Sequence, residues 1–445
     1  MSKRRKKQVI IPVHHEPAAE SRKPLIPWPL LVVIGAYLLL AIAAALIVPR
    51  DPAPDSRLTP PDESAHWLYV KDLADGLDLP VFTSGTGNYE AHQPPLYYLT
   101  VLWTCWLWGD GGLIAARLCN VLLGAVTIFV AWRLAAVLVP GKEWVHLGAA
   151  AALAFIPGRL FVCASVSNDP LFELLAACTL CFALRWSRTG IALGGAALIG
   201  LTLAAGLLTK TSTLILLPVV GIALLVEPRW RKDGFRYLLA NGLVIGGLCA
   251  ALWGWWVVRN LNLYGDPLAL GVFQEVFLKD RPTPEFFLSR GMTWSGYWTL
   301  VAIQGWMSVW GVFGQATVYM PQLFYSLGNI IGLASGVGLV TAWWRGRDPD
   351  KPMDPVWPLA GLACLLALGG FLQFNMVFYQ AQARYFLGVS AILAVALSLG
   401  VSGLQPRLDA PRAPVALAVV LFVMSLWAVV AHVTGGYSFT PPFAQ

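Results

Sequence analysis

Side chains able to move protons are concentrated in a polar segment near the start of the chain, at about residues 49–95. Carboxylate, imidazole and phenol groups can donate or accept protons and hydrogen bonds at a reaction centre. The candidates of this kind are Asp62, Glu63, His66, Glu90, His92 and Tyr98. Asp62 also has a purely structural explanation, since it follows Pro60-Pro61 and stands where a helix N-cap is expected.

A short amphipathic helix is predicted directly after this Asp. Ala65, Tyr69 and Leu73 recur every four residues and are followed by Gly76, a residue typical of helix ends. Asp62 stands at the N-cap of this predicted helix.

A second carboxylate opens a later apolar stretch, in Asn168-Asp169-Pro170. Capping accounts for this pattern too, with Asp at the N-cap and Pro at the first helical position. The topology below nevertheless places Asp169 on the same side of the membrane as Asp62. Two carboxylates at one water–membrane boundary suit a shared metal ion or a shared sugar.

Basic residues lie at the ends of several apolar stretches on that same side. The four cations are Arg117, Lys210, Arg259 and Arg384, the last followed by Tyr385. Charges at membrane depth are costly and by default indicate function, and these run against the usual excess of cations on the cytoplasmic side. A lipid phosphate bound by all four explains them together; separate snorkelling to lipid head groups is the alternative.

The elements that position these residues must be membrane-spanning helices. Hydrophobic residues make up 57% of the 445 residues and charged residues only 12%, and the mean hydropathy is +0.64. A soluble domain carries about a quarter charged residues, so the composition predicts an all-α polytopic membrane protein. The net charge of +7 does not indicate nucleic-acid binding, because the basic residues cluster between apolar runs.

Eleven spans are predicted from the apolar runs. They are Leu25–Val48, Leu113–Ala131, Leu147–Ala164, Pro170–Leu184, Ile191–Leu208, Thr211–Val226, Tyr237–Val258, Met320–Trp344, Val356–Phe378, Phe386–Leu404 and Pro414–His432. The first is longer than the roughly 7–15 apolar residues of a signal peptide, so we interpret it as an uncleaved anchor. The distribution of Lys and Arg predicts a cytoplasmic N-terminus and an outer C-terminus.

This topology divides the chain into a basic cytoplasmic tail at 1–24, a membrane domain at 25–432 and a short outer tail at 433–445. Long outer loops cover 49–112 and 259–319. Two apolar stretches inside these loops, Pro95–Trp108 and Trp294–Trp310, do not fit as spans, because both ends of each must lie outside. Interfacial helices explain them, and for the second this interpretation is favoured by Trp residues spaced four apart. If both crossed the membrane instead, the protein would have 13 spans.

A run of motifs resembles the GT-C glycosyltransferase superfamily, in particular its ArnT-like and protein O-mannosyltransferase-like branch. The motifs are Asp62-Glu63-x-x-His66, Glu90-x-x-Gln93-Pro94-Pro95-Leu96-x-Tyr98, Ala116-Arg117-Leu118, Pro157 followed by Asn168-Asp169, Gly206-Leu207-Leu208-Thr209-Lys210, and Arg384-Tyr385. They occur in the order typical of the family from about residue 25 to 400. The chain departs from the ArnT-like pattern at Gln93, where Lys is common, and at Ala65-His66, where Arg-Tyr is common.

The resemblance implies a GT-C-like helix bundle and an enzyme that uses a polyprenyl-phosphate-linked sugar as donor. Asp62 and Glu63 would be catalytic, with Asp62 as the base or as the group that orients the acceptor. Donor phosphate or sugar would be bound by Lys210, Arg117, Arg384, Tyr385 and Arg259. Sugar or acceptor would contact His66, Glu90, His92 and Tyr98. A divalent ion (Mg²⁺, Mn²⁺ or Zn²⁺) held by Asp62, Asp169 and His66 stays open as an option, without being required.

Two functions therefore follow as hypotheses. The first is inverting transfer of a sugar to a lipid, glycan or protein hydroxyl at the outer face of a bacterial inner membrane. The second is a transporter or flippase for a polyprenyl-linked or anionic substrate. A transporter is expected to carry ionisable residues near mid-membrane, whereas the charges here lie near the ends of the spans.

Overall fold

The computed structural model describes residues 26–50, 56–83, 88–228, 230–278, 281–347, 350 and 353–442. The basic tail predicted at 1–24 lies outside the described residues. The α-helices are α1 (Trp28–Ile47), α2 (Glu63–Gly76), α3 (Leu96–Trp108), α4 (Gly112–Leu138), α5 (Glu143–Phe155), α6 (Pro157–Cys163), α7 (Asp169–Thr189), α8 (Leu193–Leu207), α9 (Leu216–Val226), α10 (Trp230–Tyr264), α11 (Leu270–Phe277), α12 (Pro284–Leu288), α13 (Trp294–Gly311), α14 (Gln322–Gly346), α15 (Val356–Val377), α16 (Ser390–Gly403) and α17 (Arg412–Thr434).

Shorter elements connect these helices. One-turn to two-turn 3₁₀ helices cover Ser56–Leu58, Gly109–Gly111, Thr211–Ile215 and Ala383–Val389. The strands β1 (Val312–Phe313) and β2 (Val318–Tyr319) form an antiparallel hairpin, and Tyr319 also pairs with Ser438 near the C-terminus.

Apolar helices account for every predicted span. In the described part of the chain, eight helices are long and apolar enough to cross a membrane, and the bent pair α5–α6 would make a ninth. The apolar segments Leu193–Leu207 and Thr211–Val226 are shorter. Each of the eleven predicted spans overlaps one of these apolar helical segments, although only eight or nine of the segments are long enough to cross a membrane. The protein is an all-α, multi-pass membrane protein. The two stretches that did not fit as spans form α3 and α13.

A sharp bend of 63° separates α5 from α6. It falls at Pro157, which begins α6 and has no N–H to continue the preceding helix. Beyond the bend, Arg159 donates to both carboxylate oxygens of Glu173 at 2.8 and 2.9 Å, and Ser390 donates to the same carboxylate at 2.5 Å. These bonds hold α6, α7 and α16 together.

Small residues set the spacing of the helices. A Cβ atom added to Gly338 of α14 would lie 1.7 Å from the carbonyl oxygen of Gly400 in α16, so α14 and α16 touch backbone to backbone. Two glycines earlier in α14, Gly328 and Gly332, lie under the rings of Trp310 and Trp306. The Trp series of α13 is therefore split: Trp306 is 41% exposed and Trp310 only 1% exposed.

Candidate active site

Asp62 occupies the N-terminus of α2, but its side chain does not cap the helix. The backbone there has the left-handed φ of 62°, and the carboxylate instead accepts hydrogen bonds from Arg384 Nη2 at 2.6 Å and Tyr89 Oη at 3.0 Å. The capping explanation for Asp62 is thus wrong. Burial opposes ionisation of Asp62, yet the charge and hydrogen bond of Arg384, together with the charges of His66 and Arg281, outweigh it and hold the pKa of this carboxyl well below its usual value.

Asp169 pairs with Lys210 rather than with the backbone of its own helix. Asn168 holds the N-cap position of α7 and Asp169 is the first helical residue, one position later than expected. The Lys210 Nζ atom lies 2.5 Å from Asp169 Oδ1, and Asp169 is only 2% exposed. The buried carboxylate of Asp169 is thus neutralised by Lys210, which lies in the turn between α8 and α9.

These two ion pairs belong to one group of charged side chains. His66 interacts electrostatically with Asp62, Asp169, Lys210 and Arg384, and Glu90 with Asp62, Arg384 and Lys210. We call this set the charged cluster; its members are Asp62, His66, Glu90, Asp169, Lys210 and Arg384. Six of the residues singled out from the sequence, spread over more than 300 positions, are thus brought together.

In two members of the charged cluster, burial favours the neutral form. Burial lowers the pKa of His66 to about 3, and its Nδ1 atom lies 2.9 Å from the hydroxyl of Tyr98. Burial and the nearby charge of Asp62 raise the pKa of Glu90 to about 8. The Oε2 atom of Glu90 is buried without a hydrogen-bond partner among the described residues. Both side chains can therefore hydrogen-bond to a ligand without adding charge.

His92 lies beside the cluster, on the turn that leads into α3. Its Nδ1 atom lies 2.9 Å from the Tyr89 carbonyl oxygen and its Nε2 atom 3.1 Å from Gln93 Nε2. The ring packs against Phe273 of α11 at 4.7 Å, and burial lowers the pKa of His92 to about 4. Gln93 in turn accepts a hydrogen bond from Asn168 at 3.2 Å, which ties this turn to the start of α7.

Glu63 and Arg117 form a separate, fully satisfied pair. Arg117 is 0% exposed, and all five of its N–H groups are used. It donates to Glu63 Oε1 and Oε2 at 2.8 and 2.5 Å and to the carbonyl oxygens of Ala45, Val48 and Pro49. In this arrangement Arg117 has no donor left for a phosphate and Glu63 is held by its partner. The geometry gives both residues a structural task, in contrast to the binding and catalytic roles that the resemblance implied.

Arg259 lies away from the two ion pairs, whereas Tyr385 lies beside one of them. Arg259 donates to the carbonyl oxygens of Leu79 and Pro80 and stacks on Trp256 at 4.7 Å. It therefore fastens the segment after α2 to the end of α10. The Tyr385 ring packs on Phe374 at 5.0 Å, and the Arg384 guanidinium lies 6.0 Å from the centre of the same ring. Tyr385 therefore adjoins the charged cluster, as its predicted place in the site requires.

The residues expected to bind a metal ion do not form a metal site. In the described part of the chain, no three His, Cys, Asp or Glu side chains converge in a way that could hold an ion. Asp62 faces Arg384, Asp169 faces Lys210, and the His66 Nδ1 atom faces Tyr98. Cationic side chains thus take the positions that a divalent ion would need, and we derive no step through a metal.

Two contributors to the site had not been singled out from the sequence. Tyr89 donates to Asp62, and Arg281 adds a further positive charge that acts on the same carboxyl. Tyr89 directly precedes Glu90 within a quoted motif, so its position was a usable signal. Arg281 lies in the long loop before α13, where nothing in the local sequence distinguishes it from other loop cations.

A large cavity opens beside the charged cluster. Its volume is about 960 Å³, and it is lined by Asp169 and Arg384 together with Ser165 and Ser167. The remaining lining is mainly apolar and comes from membrane-spanning helices, including Leu339, Leu368, Leu372, Leu393 and Leu397. The arrangement can accommodate a ligand that has a charged end and a long apolar part.

Comparisons with solved structures identify the fold. ArnT from Cupriavidus metallidurans bound to undecaprenyl phosphate superposes with a TM-score of 0.51 at 15% identity, covering 90% of this chain and 64% of that one. An Archaeoglobus fulgidus oligosaccharyltransferase in complex with Zn and sulfate gives a TM-score of 0.52 at 14% identity, covering 92% of this chain and 53% of that one. No family model matches the sequence, and comparison with curated proteins gives no significant match.

The protein is therefore a multi-pass membrane protein with a GT-C-like fold, which confirms the fold that the resemblance implied. The chain spans just under two thirds of the ArnT chain and about half of the oligosaccharyltransferase chain.

Proposed function

We propose that this protein is a glycosyltransferase that moves a sugar from a polyprenyl-phosphate-linked donor to a hydroxyl group of a lipid, glycan or protein. The observation that supports this most directly is the cavity. It joins two groups of the charged cluster, Asp169 and Arg384, to an apolar interior of about 960 Å³ within the membrane helices. A polyprenyl-phosphate sugar has the matching division into a polar head and an apolar chain.

Lys210 and Arg384 are the donors we assign to the phosphate. Both lie in the charged cluster, 2.5 and 2.6 Å from the carboxylates of Asp169 and Asp62. A bound phosphate would share these cations with the carboxylates, and charge-assisted hydrogen bonds from Arg and Lys to phosphate are strong. As the phosphate departs, its growing charge would be stabilised by the same two side chains. The similarity in fold to ArnT bound to undecaprenyl phosphate is consistent with this assignment.

In the proposed step the acceptor hydroxyl oxygen attacks the anomeric carbon. The bond from that carbon to the phosphate oxygen breaks, and the electron pair leaves with the polyprenyl phosphate. Asp62 receives or orients the hydroxyl proton. Because the hydroxyl approaches from the side opposite the phosphate, the anomeric configuration inverts.

The pairing of Asp62 with Arg384 makes the carboxyl a weak base before the donor binds. Burial disfavours the charged form, but Arg384 holds the pKa of Asp62 below its usual value. A donor phosphate that draws Arg384 away would raise this pKa and strengthen Asp62 as a base. The acceptor is therefore activated mainly when the donor is in place.

The proposed location of the reaction is the outer face of a bacterial inner membrane. It follows from the distribution of Lys and Arg, which puts the loops that carry Asp62 and Arg384 opposite the basic segments. Polyprenyl-phosphate donor, membrane lipids and acceptor would all meet there.

Transfer can be tested with the purified protein, polyprenyl phosphates carrying labelled sugars, and an extract of bacterial envelope glycans and lipids as acceptor. Loss of label from the polyprenyl lipid is compared among wild type, Asp62→Asn and Asp75→Asn. Asp75 lies on the exposed face of the same α2 helix and is the matched control. We expect wild type and the control to release label and Asp62→Asn to release it 10²–10⁴-fold more slowly, as for loss of a general base.

The same preparation separates the transferase from a transporter. Reconstitution in vesicles shows whether the polyprenyl lipid moves between leaflets without losing its sugar. Translocation without transfer in wild type would contradict the proposal and favour a flippase.

A further inference from the structure

A short polar loop, Ser165–Asn168, connects α6 to α7 next to the charged cluster. Ser165 and Ser167 both line the cavity that Asp169 and Arg384 also line. Ser167 is only 3% exposed, and its hydroxyl oxygen has no hydrogen-bond partner among the described residues. Burying a hydroxyl without a hydrogen-bond partner destabilises a folded protein by about 1–3 kcal/mol. Such a group in a folded protein therefore requires an explanation.

The loop cannot easily move to satisfy this hydroxyl by itself. The backbone N–H of Val166 donates to Glu63 Oε1 at 2.8 Å. The side-chain amide of Asn120 donates to the carbonyl oxygens of Ser165 and Ser167 at 2.7 and 3.0 Å. The loop is thus fixed from the protein side by buried groups, and the Glu63–Arg117 pair acts as one of its supports.

Ser165 offers a contrast within the same loop. Its hydroxyl donates to the carbonyl oxygen of Val162 at 2.9 Å. Of the two serines that line the cavity from this loop, the hydroxyl of Ser165 is paired, whereas that of Ser167 has no hydrogen-bond partner in the part of the chain that the structure describes. A preorganised, unpartnered polar group at the wall of a cavity is what a ligand's polar substituent requires.

We propose that Ser167 is a specificity-determining residue that hydrogen-bonds to the sugar carried by the donor. This rests on the function proposed above. The sugar is bonded directly to the phosphate, and the phosphate is assigned to Lys210 and Arg384. Ser167 lies two residues before Asp169, the partner of Lys210, and lines the cavity with Arg384. The substituents of the sugar must therefore lie near this loop.

The chemical class of the recognised group is a ring hydroxyl or amino substituent. A serine hydroxyl can donate one hydrogen bond and accept two, so it can pair with either. The apolar chain of the donor cannot form a hydrogen bond with the Ser167 hydroxyl. A site built to hydrogen-bond a substituent rejects analogues that lack it, because the buried partner is then left unpaired. Ser167 would select among sugars while contributing nothing to the binding of bare polyprenyl phosphate.

The test measures binding to full-length protein in lipid nanodiscs. The probes are bare polyprenyl phosphate and its glucosyl, galactosyl, mannosyl, arabinosyl and N-acetylglucosaminyl esters. Wild type is compared with Ser167→Ala, with Ser167→Thr, which keeps a hydroxyl, and with Ser425→Ala. Ser425 is a buried serine of α17 outside the cavity lining, bonded to the Phe155 carbonyl oxygen at 2.9 Å, and is the matched control.

We expect wild type to bind at least one ester more tightly than the others. Ser167→Ala should weaken that ester about tenfold, the value of one hydrogen bond left unmade, and leave bare phosphate within about twofold. Ser167→Thr should restore part of the preference. Because the hydroxyl has no hydrogen-bond partner among the described residues and its burial is unfavourable, Ser167→Ala should not lower the thermal stability of the ligand-free protein.

Two results would overturn the assignment of Ser167 alone: an unchanged order of ester affinities in Ser167→Ala, or a wild type that binds every ester no better than bare phosphate. A wild type that binds neither bare phosphate nor any ester would overturn the proposed function and this inference together. The affinity for bare phosphate therefore distinguishes the two failures.

Discussion

Arg384 donates a hydrogen bond of 2.6 Å to Asp62 although 322 residues separate them in the chain. This contact joins the first outer loop to the 3₁₀ helix that precedes α16. It also makes Arg384 the nearest cation to Asp62 and one cause of the lowered pKa of that carboxyl. Under the proposed function, a phosphate that binds Arg384 would compete with Asp62 for it, and donor binding would be linked to activation of the acceptor through one guanidinium.

This link predicts a change in the acid limb of the pH–rate profile. Arg384 holds the pKa of Asp62 down, so Arg384→Met should raise that pKa. The pH below which activity is lost should move upward in the variant, and transfer should also fall about 10²–10³-fold with the loss of one stabilising donor. The measurement is residual transfer rate against pH. An acid limb at the same pH in both proteins would contradict the control of Asp62 by Arg384.

Lys210 is expected to contribute to stability and to phosphate binding, and the two contributions can be separated. Lys210→Met leaves the nearly buried carboxylate of Asp169 unpaired, which costs about 3–5 kcal/mol. The double variant Lys210→Met/Asp169→Asn removes both charges and should recover much of this stability. Its affinity for polyprenyl phosphate should remain well below that of wild type, because the cation is absent. Thermal unfolding and phosphate binding are measured on both; full recovery of binding in the double variant would exclude Lys210 as a phosphate ligand.

For the Glu63–Arg117 pair we expect the stability of the protein, and not its affinity for phosphate, to depend on the two charges. Arg117→Met strands the carboxylate of Glu63, which is 3% exposed, and should destabilise the protein by about 3–5 kcal/mol. Glu63→Gln/Arg117→Met should regain part of that stability with a near wild-type affinity for bare polyprenyl phosphate. Thermal unfolding gives the first quantity and phosphate binding the second. If the double variant were well folded but bound phosphate tenfold or more weakly, Arg117 would have the donor-binding role first inferred from the family motif.

The sequence predicted the spans well because membrane spans depend on apolar length, which is local. The helix after Asp62 was equally accessible: Ala65, Tyr69 and Leu73 are all at most 1% exposed, and α2 ends at Gly76 as expected. Hydropathy, by contrast, carries no information about where a helix bends, so the break at Pro157 was merged into one span.

The pairing of charges could not be predicted from local patterns. The motifs pointed to Asp62, Glu63, Arg117 and Arg384, but they do not say which carboxylate meets which cation. Adjacent residues separate completely here: Asp62 faces Arg384 near the cavity, while Glu63 turns inward to Arg117. The left-handed φ of 62° at Asp62 directs the side chain away from the helix N-terminus, and that conformation is set by the tertiary fold.

Glu90 predicts a specific dependence of stability on pH. Its pKa is raised from the ordinary 4.5 to about 8 by burial and by Asp62, so the folded state binds this proton more tightly than the unfolded state. The stabilisation is fully present below the unfolded pKa and is lost as the pH rises through the folded one. Glu90→Gln should therefore lose less stability than wild type between about pH 5 and pH 9. Melting temperatures across that range test this, with the exposed Glu285→Gln as control; parallel curves for wild type and Glu90→Gln would refute it.

Close contact between α14 and α16 makes a final prediction about stability. A methyl group at Gly338 would lie 1.7 Å from the Gly400 carbonyl oxygen, so Gly338→Ala forces the helices apart and should cost about 1–3 kcal/mol. Gly336 lies on the same helix, and an added Cβ there meets nothing within 4 Å. Gly336→Ala should therefore be neutral or stabilising by up to about 1 kcal/mol, the gain in helix propensity. Thermal unfolding of the two variants in the same detergent decides the point, because equal stabilities would mean that α14 and α16 do not pack backbone to backbone at Gly338.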